Sequence, residues 1–143
     1  MVQFIFLPVI RAQLALNRRD AAQAIKELDT SAPYELGKAS PLEIFPFALY
    51  PVYMRGKAFL GSNNYKQAAV EFQKILDRPA LVLNEPIGAL ALQGLARSYG
   101  LQQQPDKARA SYQELMSIWH QADARSPLFR EAYLEYKQLG GAK

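Results

Sequence analysis

The fold is decided by the segment VYMRGKAFLGSNNYKQAAVEF, residues 52–72. Within it, Gly56 precedes Phe59 by three positions. Ala68 follows nine positions later, and Phe72 comes four positions further on. Residues three or four apart share one face of a helix, and the nine-residue gap leaves room for a turn. The segment therefore predicts two helices joined by a short turn.

The same spacing occurs twice more in the chain. The equivalent residues are Ala12, Ala15, Ala24 and Leu28 upstream, and Ala96, Tyr99, Ala108 and Tyr112 downstream. An internal repeat of this kind predicts three helix-turn-helix units, at about residues 3–30, 48–77 and 86–121. Because Ala15 is too small to fill the space of an aromatic, either the first two helices sit closer together or Leu14 or Leu16 turns inward.

The repeat resembles the tetratricopeptide repeat family, whose signature contains G-x2-Y followed by A-x3-F. Gly56, Phe59, Ala68 and Phe72 match that signature in the second unit, and the other two units match it in part. All three units lack the leading tryptophan and the closing proline, and they recur at more than the family period of about 34 residues. The resemblance implies an all-α, right-handed superhelical solenoid of three divergent units.

The remaining segments predict a packed linker and a capping helix. The linker, residues 31–47, contains several prolines but also apolar residues, namely Leu42, Ile44, Phe45 and Phe47, so we expect it to pack on the helices. Ser126 followed by Pro127 is typical of a helix start, which predicts a C-terminal capping helix at residues 127–139. Residues 1–143 are therefore expected to form one domain.

A closer resemblance involves Ala32–Gly37, Leu49–Gly56 and Leu83–Ala91. These stretches are similar to the tetratricopeptide segments C-terminal to bacterial eukaryotic-like Ser/Thr protein kinases and to those of some bacterial winged-helix regulators. That resemblance implies a fragment of a larger bacterial signalling protein, acting as a scaffold.

Composition excludes several classes of partner. The 17 basic and 13 acidic residues give a net charge of +4, but the basic residues are scattered, so a nucleic-acid surface is not predicted. No apolar span reaches 18 residues, so the sequence predicts no membrane crossing. The lack of cysteine excludes disulfides and thiolate metal sites and fits a cytoplasmic location.

Catalytic chemistry has little support in the sequence. The chain contains one histidine, His120, which follows Trp119 near a predicted helix end. No nucleophile motif, glycine-rich phosphate loop or metal-ligand cluster accompanies it. We therefore predict a protein that is not an enzyme, with no catalytic residue, cofactor or metal site.

The concave face of the predicted solenoid is the candidate binding site. In the family it is lined by the first helix of each unit, and the residues on that face here are Gln13, Tyr53, Lys57, Gln93 and Arg97. Lys57 and Arg97 occupy equivalent positions, so stacking should place them on adjacent units. The hypothesis is a site for an extended peptide or protein segment with an acidic group, which Lys57 and Arg97 would pair. Gln13 and Gln93 would bond its backbone, and Tyr53 would supply apolar contact; alternatively, the two cations merely keep a helix face soluble.

Two further functions stay open from the sequence. Because the N-terminal end starts with apolar residues (Phe4 to Leu7) and no polar cap, it is expected to pair with upstream sequence or with a second copy of the chain. The chain would then be an oligomerisation element. A small-ligand sensor, with its site between linker and groove, is the other alternative.

One arginine position is unusual for the family. Arg11 and Arg55 stand where a leucine is common, and a buried arginine needs an acceptor. We expect Arg55 to bind a carboxylate or carbonyls of the linker, with Glu35 as the candidate.

Overall fold

The fold is all-helical in the computed structural model, which describes residues 2–35, 46–82, 86–119 and 126–140. No strand occurs in these ranges. Eight α-helices follow one another: α1 Leu7–Asn17, α2 Ala21–Asp29, α3 Tyr50–Gly61, α4 Tyr65–Leu76, α5 Pro79–Val82, α6 Ile87–Leu101, α7 Pro105–Ile118 and α8 Pro127–Gln138. A wide helical turn, Val2–Phe6, leads into α1, and short 3-10 turns lie at Ala32–Tyr34 and Pro46–Leu49.

Three helix pairs share one turn geometry. α1 and α2, α3 and α4, and α6 and α7 are each joined by three residues, of which the middle one has a left-handed backbone. The next residue donates its N–H to a carbonyl five positions back, over 2.8–2.9 Å in all three turns. The left-handed residues are Arg19, Asn63 and Gln103, with φ of 61°, 60° and 59°. The repeat in the sequence is therefore a repeat in backbone conformation.

The pairs stack in chain order. α3 contacts both α1 and α2, and α6 contacts both α3 and α4. The first helices of the three units, α1, α3 and α6, are thus consecutive neighbours. α8 packs against α7 at the end of the stack. This arrangement brings equivalent positions of successive units next to one another.

Small residues line the contacts between paired helices, as the sequence predicts. The alanines of the repeat are fully buried, namely Ala12, Ala24, Ala68, Ala96 and Ala108. Leu28, Phe72 and Tyr112 are buried between the helices. In the first unit Leu16 packs on the core, whereas Leu14 stays half exposed, so Leu16 is the neighbour that compensates for Ala15.

Phe72 is the central core residue of the stack. Its ring lies against α3, where a Cβ added to Gly56 would come within 2.7 Å of the ring. A Cβ added to Gly94 on α6 would come closer still to the same ring. Real side chains do not approach so closely, so both positions require glycine. The sequence pattern identified Gly56 as a point of close approach but missed Gly94.

Parts of the predicted connections fall outside the described ranges. The expected packing of Leu42, Ile44 and Phe45 lies there, as do the side chain of Phe47 and all of His120. The connection between α4 and α6 contains the short helix α5, which the sequence pattern did not predict. None of the described helices is long and apolar enough to span a bilayer.

We expect Gly94→Ala to destabilise the protein by about 1–3 kcal/mol, because the new methyl group must displace the Phe72 ring from a packed core. Gly100→Ala is the matched control on the same helix. Its Cβ would lie 4.0 Å from the Cβ of Ala108, which is ordinary contact. There the helix preference of alanine should add about 0.5–1 kcal/mol of stability. Urea unfolding curves of the two variants measure the difference, and equal midpoints would contradict the role of Gly94.

Candidate binding groove

The exposed face shared by α1, α3 and α6, here called the groove, carries a ladder of equivalent residues. Gln13, Lys57 and Arg97 occupy the same position in the three units. The Nζ of Lys57 donates a hydrogen bond to Oε1 of Gln13 over 3.2 Å. Arg97 is close enough to lower the pKa of Lys57 by charge repulsion. The three side chains that the sequence predicted to face one groove are thus neighbours.

Lys57 is a half-buried cation without a carboxylate partner among the described residues. Burial lowers its pKa, and the charge of Arg97 lowers it further. Its Nζ lies 5.8 Å from the centre of the Tyr53 ring, within the range of a cation–π contact. Gln13 is a neutral acceptor and also donates to Asn17 over 2.7 Å. An anion entering the groove would therefore meet an uncompensated positive charge at Lys57.

Arg97 is paired within the chain, unlike Lys57. Its Nε donates to both carboxylate oxygens of Glu135 on α8, at 2.9 and 3.1 Å. Its Nη2 lies 2.8 Å from a carboxylate oxygen of Glu131 and 2.8 Å from one of Glu135. Tyr112 donates its hydroxyl to Glu135 over 2.7 Å. The expectation that Arg97 offers a free charge to a ligand is therefore corrected, because α8 supplies two acids to it.

The middle of the groove contains a second set of equivalent residues, namely Val9, Tyr53 and Gln93. Tyr53 is half buried, and burial raises the pKa of its phenol. Gln93 is only 3% exposed, and its buried Nε2 has no hydrogen-bond partner. It lies beneath the groove surface, so Gln93 is not placed to bond a peptide backbone as the sequence had suggested. A buried amide nitrogen without an acceptor costs about 1–3 kcal/mol.

The opposite end of the groove is apolar. Phe6 and Tyr50, equivalent residues of the first two units, lie one turn before Val9 and Tyr53. Together with Ile5 they line a pocket of about 320 Å³. The groove therefore changes along the helices from an apolar end to a cationic end. The pocket is not evident from the sequence, because it depends on the turn Val2–Phe6 continuing the helical path of α1.

Arg55 forms a separate buried cluster behind the groove. Its Nη2 donates to Glu35, which confirms the predicted partner, and also to the Leu28 carbonyl over 3.1 Å. Its Nη1 donates to Glu35 at 2.9 Å and to Glu71 at 3.1 Å. The side chains of Arg55, Glu35 and Glu71 are each 10% exposed or less. This cluster ties the end of α2 and the turn after it to α3 and α4.

Arg11 behaves differently from its equivalent Arg55. Its side chain is 63% exposed, and it lies 3.8 Å from Glu27, the equivalent of Glu71. The Arg–Glu pair is thus repeated in the first two units but buried only in the second. The reason is that α2 and the following turn cover Arg55, whereas no described residue covers Arg11 in the same way.

The acids of α8 are the site residues that sequence reasoning missed. Glu131 and Glu135 lie one helical turn apart on the predicted capping helix, which was a usable signal for a paired cation. No group of acidic or histidine side chains in the described part of the chain is arranged to hold a metal ion. Comparison of the chain with protein-family models, curated proteins and solved structures finds no match. The likeness to tetratricopeptide repeats thus stays a prediction.

We expect Lys57 to lose its proton at a lower pH than is usual for lysine, because its pKa is lowered by burial and by the charge of Arg97. Replacing Arg97 with glutamine should raise the pKa of Lys57, since the repelling charge is removed. NMR titration of ¹³C-dimethylated lysines measures both values. A Lys57 signal that titrates at or above the usual pKa of lysine in the parent protein would contradict the described environment.

We expect Arg55→Leu to destabilise the fold by about 3–5 kcal/mol, because it leaves the buried carboxylates of Glu35 and Glu71 without their shared cation. Arg11→Leu is the control at the equivalent exposed position and should change stability by less than about 1 kcal/mol. Thermal unfolding followed by circular dichroism compares them. An unchanged or raised Tm for Arg55→Leu would show that the cluster is dispensable.

Proposed function

We propose that this chain is a non-catalytic interaction module that binds an extended peptide or protein segment in the groove. The main support for the proposal is the groove itself. It has the cation Lys57, which lacks a carboxylate partner, near one end and an apolar pocket at the other. Paired carboxylate and apolar contacts of this kind are common in peptide recognition. A face that only needed to be soluble would not require an apolar pocket at the other end of the groove from the cation.

The geometry of the groove selects a spacing in the ligand. Tyr50 and Lys57 are seven residues apart on one helix, a rise of about 10 Å. In a polyproline II peptide, side chains three residues apart lie on one side, about 9 Å from each other. The preferred ligand is therefore an extended segment with a large apolar residue three positions from an acidic residue. Its acid would pair with Lys57, and its apolar side chain would enter the pocket.

The proposal includes the architecture implied by the repeat, a right-handed solenoid of three divergent tetratricopeptide units with α8 as the capping helix. The identical turns and the chain-order stacking of α1, α3 and α6 support it. It also includes a scaffold role within a larger bacterial signalling protein, which rests on the sequence resemblance alone. A cytoplasmic location belongs to the same proposal and is supported by the lack of cysteine.

The small-ligand alternative has one structural candidate. A cleft of about 490 Å³ lies among α4, α5, α6 and α7, and the described residues that line it are mostly apolar, with Glu114 as the acidic one. This cleft lies away from the groove residues, so it differs from the predicted site between linker and groove. The proposal treats the groove as the main site because a charged and an apolar subsite occur there on one continuous face.

We expect Lys57→Gln to weaken binding of such a peptide by about tenfold to a hundredfold, because one charge-assisted hydrogen bond is lost. The probes are fluorescein-labelled eight-residue peptides that contain one phenylalanine and one glutamate, at separations from one to five residues and in both orders. Fluorescence anisotropy measures their affinity. The separation of three residues should bind best in one of the two orders.

Lys66→Gln is the matched control, since it removes the same charge from an exposed position on α4. It should leave the affinity unchanged, and neither variant should lower the unfolding midpoint of the protein. Replacing the glutamate of the best peptide with glutamine should weaken its binding to the parent protein but not to Lys57→Gln. Equal loss in the Lys57 and Lys66 variants would point to unspecific attraction and would overturn the assignment of the site.

A further inference from the structure

The outer face of α1 combines exposed apolar residues with an arginine. We call it the head face, and it consists of Leu7, Ile10, Arg11 and Leu14. Their spacing places them together on the side of α1 opposite the buried Ala12. Leu7, Ile10 and Leu14 are 39%, 55% and 50% exposed. Three large apolar side chains on one exposed helix face are more than scattered surface residues.

The residues equivalent to the head face in the other two units lie at contacts between units. The positions equivalent to the head face are Pro51, Met54, Arg55 and Ala58 in the second unit and Ala91, Gly94, Leu95 and Ser98 in the third. All eight residues are buried. In each case the preceding unit covers them, since α3 packs on α1 and α2, and α6 packs on α3 and α4. The head face is therefore a unit-to-unit contact surface that no described residue of this chain covers.

The second unit also shows the chemistry of the cover. Met54 and Ala58 pack on apolar residues of α1 and α2, among them Ala15 and Leu28. The guanidinium of Arg55 pairs with the carboxylate of Glu35, which lies in the turn that follows α2. A partner for the head face must accordingly be helical, present apolar side chains, and offer a carboxylate to Arg11.

The outer face of α8 meets all three requirements. We call it the tail face, and it consists of Leu128, Glu131 and Leu134. Leu128 and Leu134 are 46% and 57% exposed, and the Glu131 side chain is 54% exposed even though it contacts Arg97. Glu131 lies three residues from each leucine, much as Arg11 lies four and three residues from Leu7 and Leu14. The two faces thus match in both charge and apolar spacing.

We propose that the head face docks on the tail face of a second copy of this chain, with Arg11 of one copy paired to Glu131 of the next. A head-to-head contact is disfavoured because it would bring Arg11 and Arg18 against the same two arginines of the partner. A head-to-tail contact is heterologous, so it leaves one free face at each end and adds further copies as the concentration rises. The proposal does not rest on peptide binding in the groove.

Sedimentation velocity over about a hundredfold range of protein concentration tests the proposal through the mass-action rise in average mass. We expect the mass of the parent protein to exceed that of a dimer at the highest concentrations. Ile10→Asp and Leu134→Asp should each abolish the rise, because either variant lacks one of the two faces. Val70→Asp, at an equally exposed apolar position on α4, should leave the rise unchanged. Circular dichroism melting verifies that all variants fold.

An equimolar mixture of Ile10→Asp and Leu134→Asp gives the sharpest result. The first variant keeps a tail face and the second keeps a head face, so the mixture should form a one-to-one dimer and nothing larger. A parent protein that is monomeric at every concentration would overturn the proposal. Association that survives Leu134→Asp but not Ile10→Asp would overturn it too, since it would indicate a contact between two head faces.

Discussion

The Phe72 ring packs against two glycines of different units, and this contact determines how closely the second and third units approach. The ring lies on α4 and fills the space that Gly56 leaves on α3 and Gly94 leaves on α6. One side chain thereby fixes three helices from two units. Because packed interiors adjust little, the separation and rotation of α3 and α6 are set by this contact. The positions of Lys57 and Arg97 on those two helices follow from it, so the spacing of groove charges is a consequence of the core.

The sequence pattern predicts those features of the fold that depend on interactions between residues close together in the chain. The helix pairs, their turns and the buried alanines depend on spacing within about thirty residues, and the structure has them where the pattern places them. Gly94 escaped prediction because it meets a ring from the preceding unit, and nothing in its own unit marks that contact. Glu131 and Glu135 escaped it for a similar reason. Their partner Arg97 is set by how α8 lies on the stack, which helical periodicity does not specify.

Burial decides what the cationic side chains do, and sequence alone does not give burial. Arg11 and Arg55 occupy equivalent positions with equivalent glutamates, yet one is exposed and the other is enclosed by acceptors. Arg97 and Lys57 are likewise equivalent, yet among the residues that the structure describes only Arg97 is paired with acids. A buried or half-buried cation without an acid is costly, because it has lost water and gained little in return. Lys57 is the side chain of the groove that carries this cost, and an incoming carboxylate would relieve it.

Glu131 links the groove to the end of the stack. It faces Arg97 across the groove, and half of its side chain remains exposed beside the leucines of the tail face. A carboxylate has room for several donors, so pairing with Arg11 of another copy does not require it to leave Arg97. Two cations that pair with one carboxylate nevertheless weaken each other's interaction with it. An acidic side chain of a bound peptide that reached Arg97 would likewise weaken the ion pair between Arg97 and Glu131. A peptide bound in the groove and a copy docked at the tail face would therefore act on the same carboxylate, and by thermodynamic linkage each would change the affinity for the other by the same factor.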